Sequence, residues 1–173
     1  MEYYILEVDK RYVAPVPVGW YGKLDAKTVK NAESLELSNH TIFFVEDHMQ
    51  MVYTDIIKFP CFMVSKKVKD IIMLYDPFIR FERIIFFSKE RSKSAAYYFP
   101  FLEEIDCLLE GSEFNKAKSE VKHARVEKEK LAGKSIIRIG GLNGTCILIS
   151  MDLANSILRR DAVGIGLRET EAV

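Results

Sequence analysis

Net charge, long apolar runs and paired cysteines are all missing from this sequence, and each absence removes a class of function. Lys plus Arg equals Asp plus Glu at 25 each, so no overall field draws the chain toward nucleic acid or an anionic membrane. An electrostatic partner must therefore be met by a local patch. No apolar stretch approaches the roughly 18 residues of a membrane helix. The opening MEYYILEVDKRY carries acidic groups and strand-like alternation in place of the basic and then apolar pattern of a secretory signal. The three cysteines, Cys61, Cys107 and Cys146, are odd in number, far apart and set among apolar neighbours. They read as small buried hydrophobes in a reducing compartment, so a cytoplasmic protein is expected. No cysteine has a second ligand at CxxC or CxxH spacing, and His40, His48 and His123 are equally scattered. No metal site is expected.

What is present is enough apolar surface for a core. With 173 residues, 49% hydrophobic and 29% charged, the chain needs no disulfide or metal to stay folded. A single domain over 1–173 is expected, or two intimate halves at about 1–94 and 95–173, each holding one strand-helix-strand unit.

The strongest pattern is a repeat. FMVSKKVKDIIMLYDPFIRFERIIFF at 62–87 and ILISMDLANSILRRDAVGIGLRETEAV at 147–173 align at one offset, placing Ser65 over Ser150, Ile72 over Ile157, Asp76 over Asp161 and Arg83 over Arg168. In each copy an apolar run enters a serine, whose hydroxyl is a good N-cap. Val68, Ile71, Ile72 and Tyr75 then form one helical stripe, as do Leu153, Ala154, Ile157 and Leu158. Asp76 before Pro77 stops the first helix, and Asp161 occupies the matching exit. A strand follows each. The expected fold class is α+β, with mixed or antiparallel sheets and two pseudo-repeated strand-helix-strand units packing their helices on one face.

Elsewhere YYILEV at 3–8 reads as a strand. APVPVGWYG reads as an extended loop around Trp20 and Tyr21, and HTIFFVED and MQMVYTDIIKF as strand-like runs. A short helix is expected near 26–32. SKERSKSA looks like a polar connection between the two copies. Residues 116–134 suit a helix by propensity, although VKHARVEKE alternates, which favours a strand near 120–127. AGKSIIRIGGLNGTCILIS reads as a hairpin turning at Leu142, Asn143 and Gly144. That reading outweighs a phosphate cradle at Gly140, Gly141 and Gly144, because a strand rather than a helix follows the glycines.

No catalytic or cofactor residues emerge. Ser65 and Ser150 lie outside any GxSxG and are explained by capping. Lys66 and Lys67, and Lys89, Arg91 and Lys93, read as solvated cations. Charge is segregated locally: 103–113 holds Glu103, Glu104, Asp106, Glu110 and Glu113 with no base, while 116–138 holds eight basic and three acidic residues. The bland reading is a dipolar solvated surface; the sharper one is an acidic stretch that imitates phosphates and plugs a basic site on a partner protein. Trp20, Tyr21, Tyr97 and Tyr98 are candidate aromatic anchors beside Glu103, Glu104 and Asp106.

These segments also resemble a known family. FPCFMVSKKVKDII at 59–72, YYFPFLEEIDCL at 97–108, AGKSIIRI at 132–139 and ILISMDLANSIL with a terminal GIGLRET strand look, in order and spacing, like immunity protein family eleven of bacterial polymorphic toxin systems, formerly a domain of unknown function. Ile136, Ile137 and Arg138 stand where members often have Ile-Phe-Arg, and Gly164 and Gly166 where they have a lone glycine. The resemblance implies a non-enzymatic protein that binds and neutralises a cognate toxin domain, with no nucleic-acid or membrane partner. Other classes remain open: a small enzyme or ligand-binding protein with a cleft between the two copies holding Arg83 or Arg168, and an adaptor or homodimer built on sheet edges.

Overall fold

A computed structural model describes residues 2–24 and 41–173; the short helix expected near 26–32 lies outside them. In chain order the elements are β1 (Tyr3–Val8), β2 (Thr41–Phe44), β3 (Ile56–Ile57), β4 (Met63–Ser65), α1 (Lys66–Tyr75), β5 (Phe81–Ser88), β6 (Lys93–Pro100), β7 (Glu104–Ile105), β8 (Glu113–Phe114), β9 (Val121–His123), β10 (Arg125–Val126), a 3-10 turn (Lys128–Leu131), β11 (Ile136–Ile139), β12 (Ile147–Ser150), α2 (Met151–Leu158), β13 (Ile165–Glu169) and β14 (Glu171–Ala172). The architecture is α+β with strands predominating. Neither described helix is long and apolar enough to cross a membrane.

One sheet has the order β2-β5-β6-β4-β3 and the other β13-β1-β12-β11-β7. β6 is antiparallel to both β4 and β5, so those two strands run parallel with β6 between them. β1 is antiparallel to both β12 and β13 and lies between them in the second sheet. The expected hairpin forms between β11 and β12, and the ambiguous segment at 116–134 resolves as β9, β10 and the 3-10 turn.

Alternation along these strands divides the apolar residues among three cores. Leu6, Ile147, Ile149 and Ile136 from the second sheet meet Ile56 and Val64 from the first, with Val68, Ile71 and Ile72 of α1 and Leu153, Ala154 and Ile157 of α2 among them. The opposite face of the second sheet, with Tyr3, Ile5, Ile137 and Leu148, is covered by Cys107, Val121, Val126 and Leu131. The opposite face of the first sheet, with Met63, Ile84, Phe86 and Tyr97, meets Leu24, Val45 and Met51. The helices touch directly: Tyr75 donates its hydroxyl hydrogen bond to the Asp152 carbonyl at 3.0 Å and lies 2.5 Å from the Ser156 hydroxyl.

Both serine caps form, Ser65 accepting from the Val68 amide at 3.3 Å and Ser150 from the Leu153 amide at 3.4 Å. The exits differ. Asp76 is extended, as the following proline requires, whereas Asp161 is left-handed at φ 51°, a conformation Asp tolerates better than most residues. The polar stretch 88–95 is the tip of the β5–β6 hairpin, with 89–92 as its turn and pairing from Phe81↔Pro100 to Ser88↔Lys93, and not a connection between halves. A division near residue 94 would cut β6. The run MQMVYTDIIKF forms only the two residues of β3, with Met51 in an isolated bridge to Val13.

Asp55, just before β3, shows why. Only 8% exposed, its carboxylate accepts from the Ser65 hydroxyl at 2.6 Å and from the Val163 amide at 2.6 Å, with the Lys67 ammonium at 3.4 Å. Its own amide donates to the Val163 carbonyl at 2.8 Å, and its carbonyl accepts from the Ser65 amide at 2.9 Å. The backbone here is thus turned from a longer strand toward the segment that leads into β13. Next in line, Gly164 is left-handed at φ 78°, and a Cβ on it would lie 2.6 Å from Thr54 Cγ2. Asp55→Ala is expected to leave the Val163 amide and Ser65 hydroxyl without their acceptor and to lower stability by about 3 kcal/mol, read as a lower urea midpoint at unchanged m-value.

Candidate interaction surface

Among the described residues no three His, Cys, Asp or Glu side chains are grouped so as to hold a metal ion. Clefts of about 350, 260 and 170 Å³ lie among the described residues. The one of about 260 Å³ is lined by Glu7, Lys58, Ser119, Glu120, Thr145, Cys146 and Arg168, with Ile5 and Val121. Arg168 is held there by Glu7 at 2.8 Å and donates to the Lys122 carbonyl at 2.5 Å. Burial pushes the Cys146 thiol up to about 11, and burial does the same for Cys107. Both are therefore neutral thiols near pH 7, without the thiolate character of a nucleophile. Arg83 does not line this cleft; it is exposed on a sheet face.

The aromatic and acidic candidates fall in separate places. Tyr97 is 1% exposed, its hydroxyl donating to the Thr54 carbonyl at 2.8 Å and its ring against Phe86. Burial pushes its phenol well above the ordinary tyrosine range. It is a core residue, because it faces the covered side of its sheet. Tyr98, one residue on, points to the other side and carries the Lys69 ammonium over its ring at 4.8 Å. Trp20 packs edge-on against Phe59 and Tyr21, leaving Tyr21 83% exposed. Glu103 is paired with Lys134 at 2.5 Å, and Glu104 with Arg138. Asp106 is exposed beside Gly141. The acidic and basic stretches thus partly neutralise one another across β7 and β11, whose parallel pairing sets Glu104 opposite Arg138.

A further surface was not anticipated. On the helix-facing side of the first sheet, three rows lie in register: Tyr98 and Arg83; Ala96, Ile85 and Ile42; Ser94, Phe87 and Phe44. Helix α1 flanks the Tyr98 end. Ile42 and Phe44 remain 56% and 46% exposed, and Ile85 and Phe87 half-buried. The Phe44 and Phe87 rings meet edge-on at 5.9 Å, and the Lys89 ammonium sits 4.3 Å over Phe44. The sequence carries a signal for it. Ile84, Ile85, Phe86 and Phe87 are apolar on both faces of one strand, the mark of a strand covered on both sides, yet no other described element covers the β2 and β5 rows of one of those faces.

No protein-family model matches the chain, and a search of the curated proteins finds no match.

Two outcomes follow from these contacts. Cys107 and Cys146 stay protonated in the fold up to about 11, while the unfolded chain ionises them near the ordinary 9.0. The unfolded state therefore binds fewer protons above about pH 9, so stability is full below that pH and falls as it rises toward about 11. Urea midpoints across this range should fall, and fall less steeply in the Cys107→Ala, Cys146→Ala double variant. Glu104→Lys is expected to set a cation against Arg138, whose Nε is already buried without a hydrogen-bond partner. A loss of roughly 1–2 kcal/mol should appear in thermal melts, whereas Asp106→Lys should leave the melt unchanged.

Proposed function

We propose that this chain is a non-enzymatic immunity protein that acts in the cytoplasm, binding a cognate bacterial toxin domain stoichiometrically and blocking it. The observation that carries the reading is the apolar face of β2 and β5, which no other described element covers. Monomeric proteins rarely leave contiguous large apolar groups in water unless a partner takes them. The resemblance to immunity protein family eleven supplies the kind of partner. Surface contact is the working principle, and the role needs no nucleophile, metal or cofactor.

The same proposal includes an internal duplication. The order β5-β6-β4-β3 with α1 and the order β13-β1-β12-β11 with α2 are alike in strand direction and in the serine cap that opens each helix. In the second set β1 stands where β6 stands in the first. A second functional reading, a small-ligand protein, draws on the polar cleft where Lys58 comes near Arg168; its ligand would be seen by equilibrium dialysis.

Co-expression with the toxin domain encoded beside this protein tests the main reading. Restored host growth, together with co-purification of a stoichiometric complex, is the expected result. Continued toxicity with no complex would overturn it.

A further inference from the structure

We infer that the face formed by β2 and β5 is the contact surface for the toxin domain, and that it receives a protein patch with an apolar centre and an acidic rim. The inference rests on the immunity reading and adds to it the face and the sign of the partner's charge.

Charge complementarity supports that sign. Arg83 is exposed in the first row of the face, Lys89 lies over Phe44 in the third, and Lys69 lies over Tyr98 where α1 begins to cover the sheet. Asp70, the carboxylate beside Lys69, is already held by Lys66 at 2.5 Å. Glu46, exposed two residues beyond the end of β2, adds one carboxylate nearby. Arg83, Lys89, Lys69 and Lys66 outnumber Asp70 and Glu46, so the face is apolar in the middle and net positive at its margins. An ammonium held over an aromatic ring keeps its outer hemisphere free for a carboxylate while its apolar stem adds to the contact area.

Two other occupants fit poorly. A single-stranded nucleic acid would want open ring faces for its bases, but two of the four central side chains are isoleucines, and Phe44 is occupied by Lys89 on its face and Phe87 at its edge. A second copy of the chain in a two-fold pair would set this same positive patch against itself. The acidic stretch at 103–113 fits a phosphate-mimicking role less well, because Glu103 and Glu104 are consumed by Lys134 and Arg138.

The test uses the purified full-length protein and the neighbouring toxin domain, with binding kinetics measured at about 50 and 500 mM salt. Arg83→Glu with Lys89→Glu changes only exposed groups, so the fold is retained, as urea midpoints will verify. The expected result is an affinity loss of about 10- to 100-fold carried mainly by slower association, with wild-type association itself slowed by salt. A second variant, Ile42→Ser with Phe44→Ser, should speed dissociation about 10-fold or more. Wild-type rescue and binding with neither variant affected would overturn the assigned face while leaving the immunity reading intact. Failure of the wild type itself to bind or rescue would overturn both. Binding of a labelled oligothymidylate, or self-association in sedimentation, abolished by the Ile42→Ser, Phe44→Ser variant, would overturn the inference in favour of a nucleic acid or a second copy.

Discussion

The Asp55 carboxylate is the contact on which the arrangement of the two sheets depends. It lies at the foot of β3 in one sheet and grips the backbone of Val163 at the entry to β13 in the other, while also bonding the serine that caps α1. One buried charge thus coordinates a helix start, a strand end and a junction between the sheets. Burying a carboxylate is unfavourable unless its oxygens are satisfied, and here two short hydrogen bonds and Lys67 satisfy them. Such a group has directional demands that Ile56 and Val64 lack, so it selects one placement of the sheets where greasy contacts alone would accept several. Gly164 beside it has no room for a side chain, which fixes how closely the two segments approach.

Much of the local structure was legible in the sequence for a physical reason. Helix starts at Ser65 and Ser150, the stop at Asp76-Pro77, the strand at 3–8 and the hairpin around Asn143 are all set by short-range chemistry. What was not legible depends on distant partners. SKERSKSA is polar enough for a linker, and only the eight-residue pairing of β5 with β6 reveals it as a turn. The burial of Tyr97 and the accessibility of Tyr98 follow from which face of β6 is covered, a fact carried by residues 24, 45 and 51 on another part of the chain. Likewise the block of acid at 103–113 looks unopposed until β7 lies along β11 and sets Glu104 opposite Arg138.

The functional candidates divide along the same line. Glu103, Glu104 and Asp106 were marked by their sequence clustering, and clustering in sequence is where like charges are easiest to count. Ile42, Phe44, Ile85 and Phe87 come from two segments about 40 residues apart and become one surface only through the parallel register of β2 and β5. A strand with apolar residues on both faces states that two covers are needed, and the described chain supplies one.

The place of β1 has a kinetic consequence. This strand precedes both of its neighbours, β12 and β13, by well over 100 residues, so during synthesis it waits unpaired on both sides until they have been made. The first sheet, whose central strand β6 follows β5 through a four-residue turn, needs no such wait. Closing the second requires a loop of well over 100 residues, which slows formation far more than it weakens the folded state. During that interval the apolar residues of β1 are exposed without a partner, in a nascent chain that has one finished sheet and one unfinished.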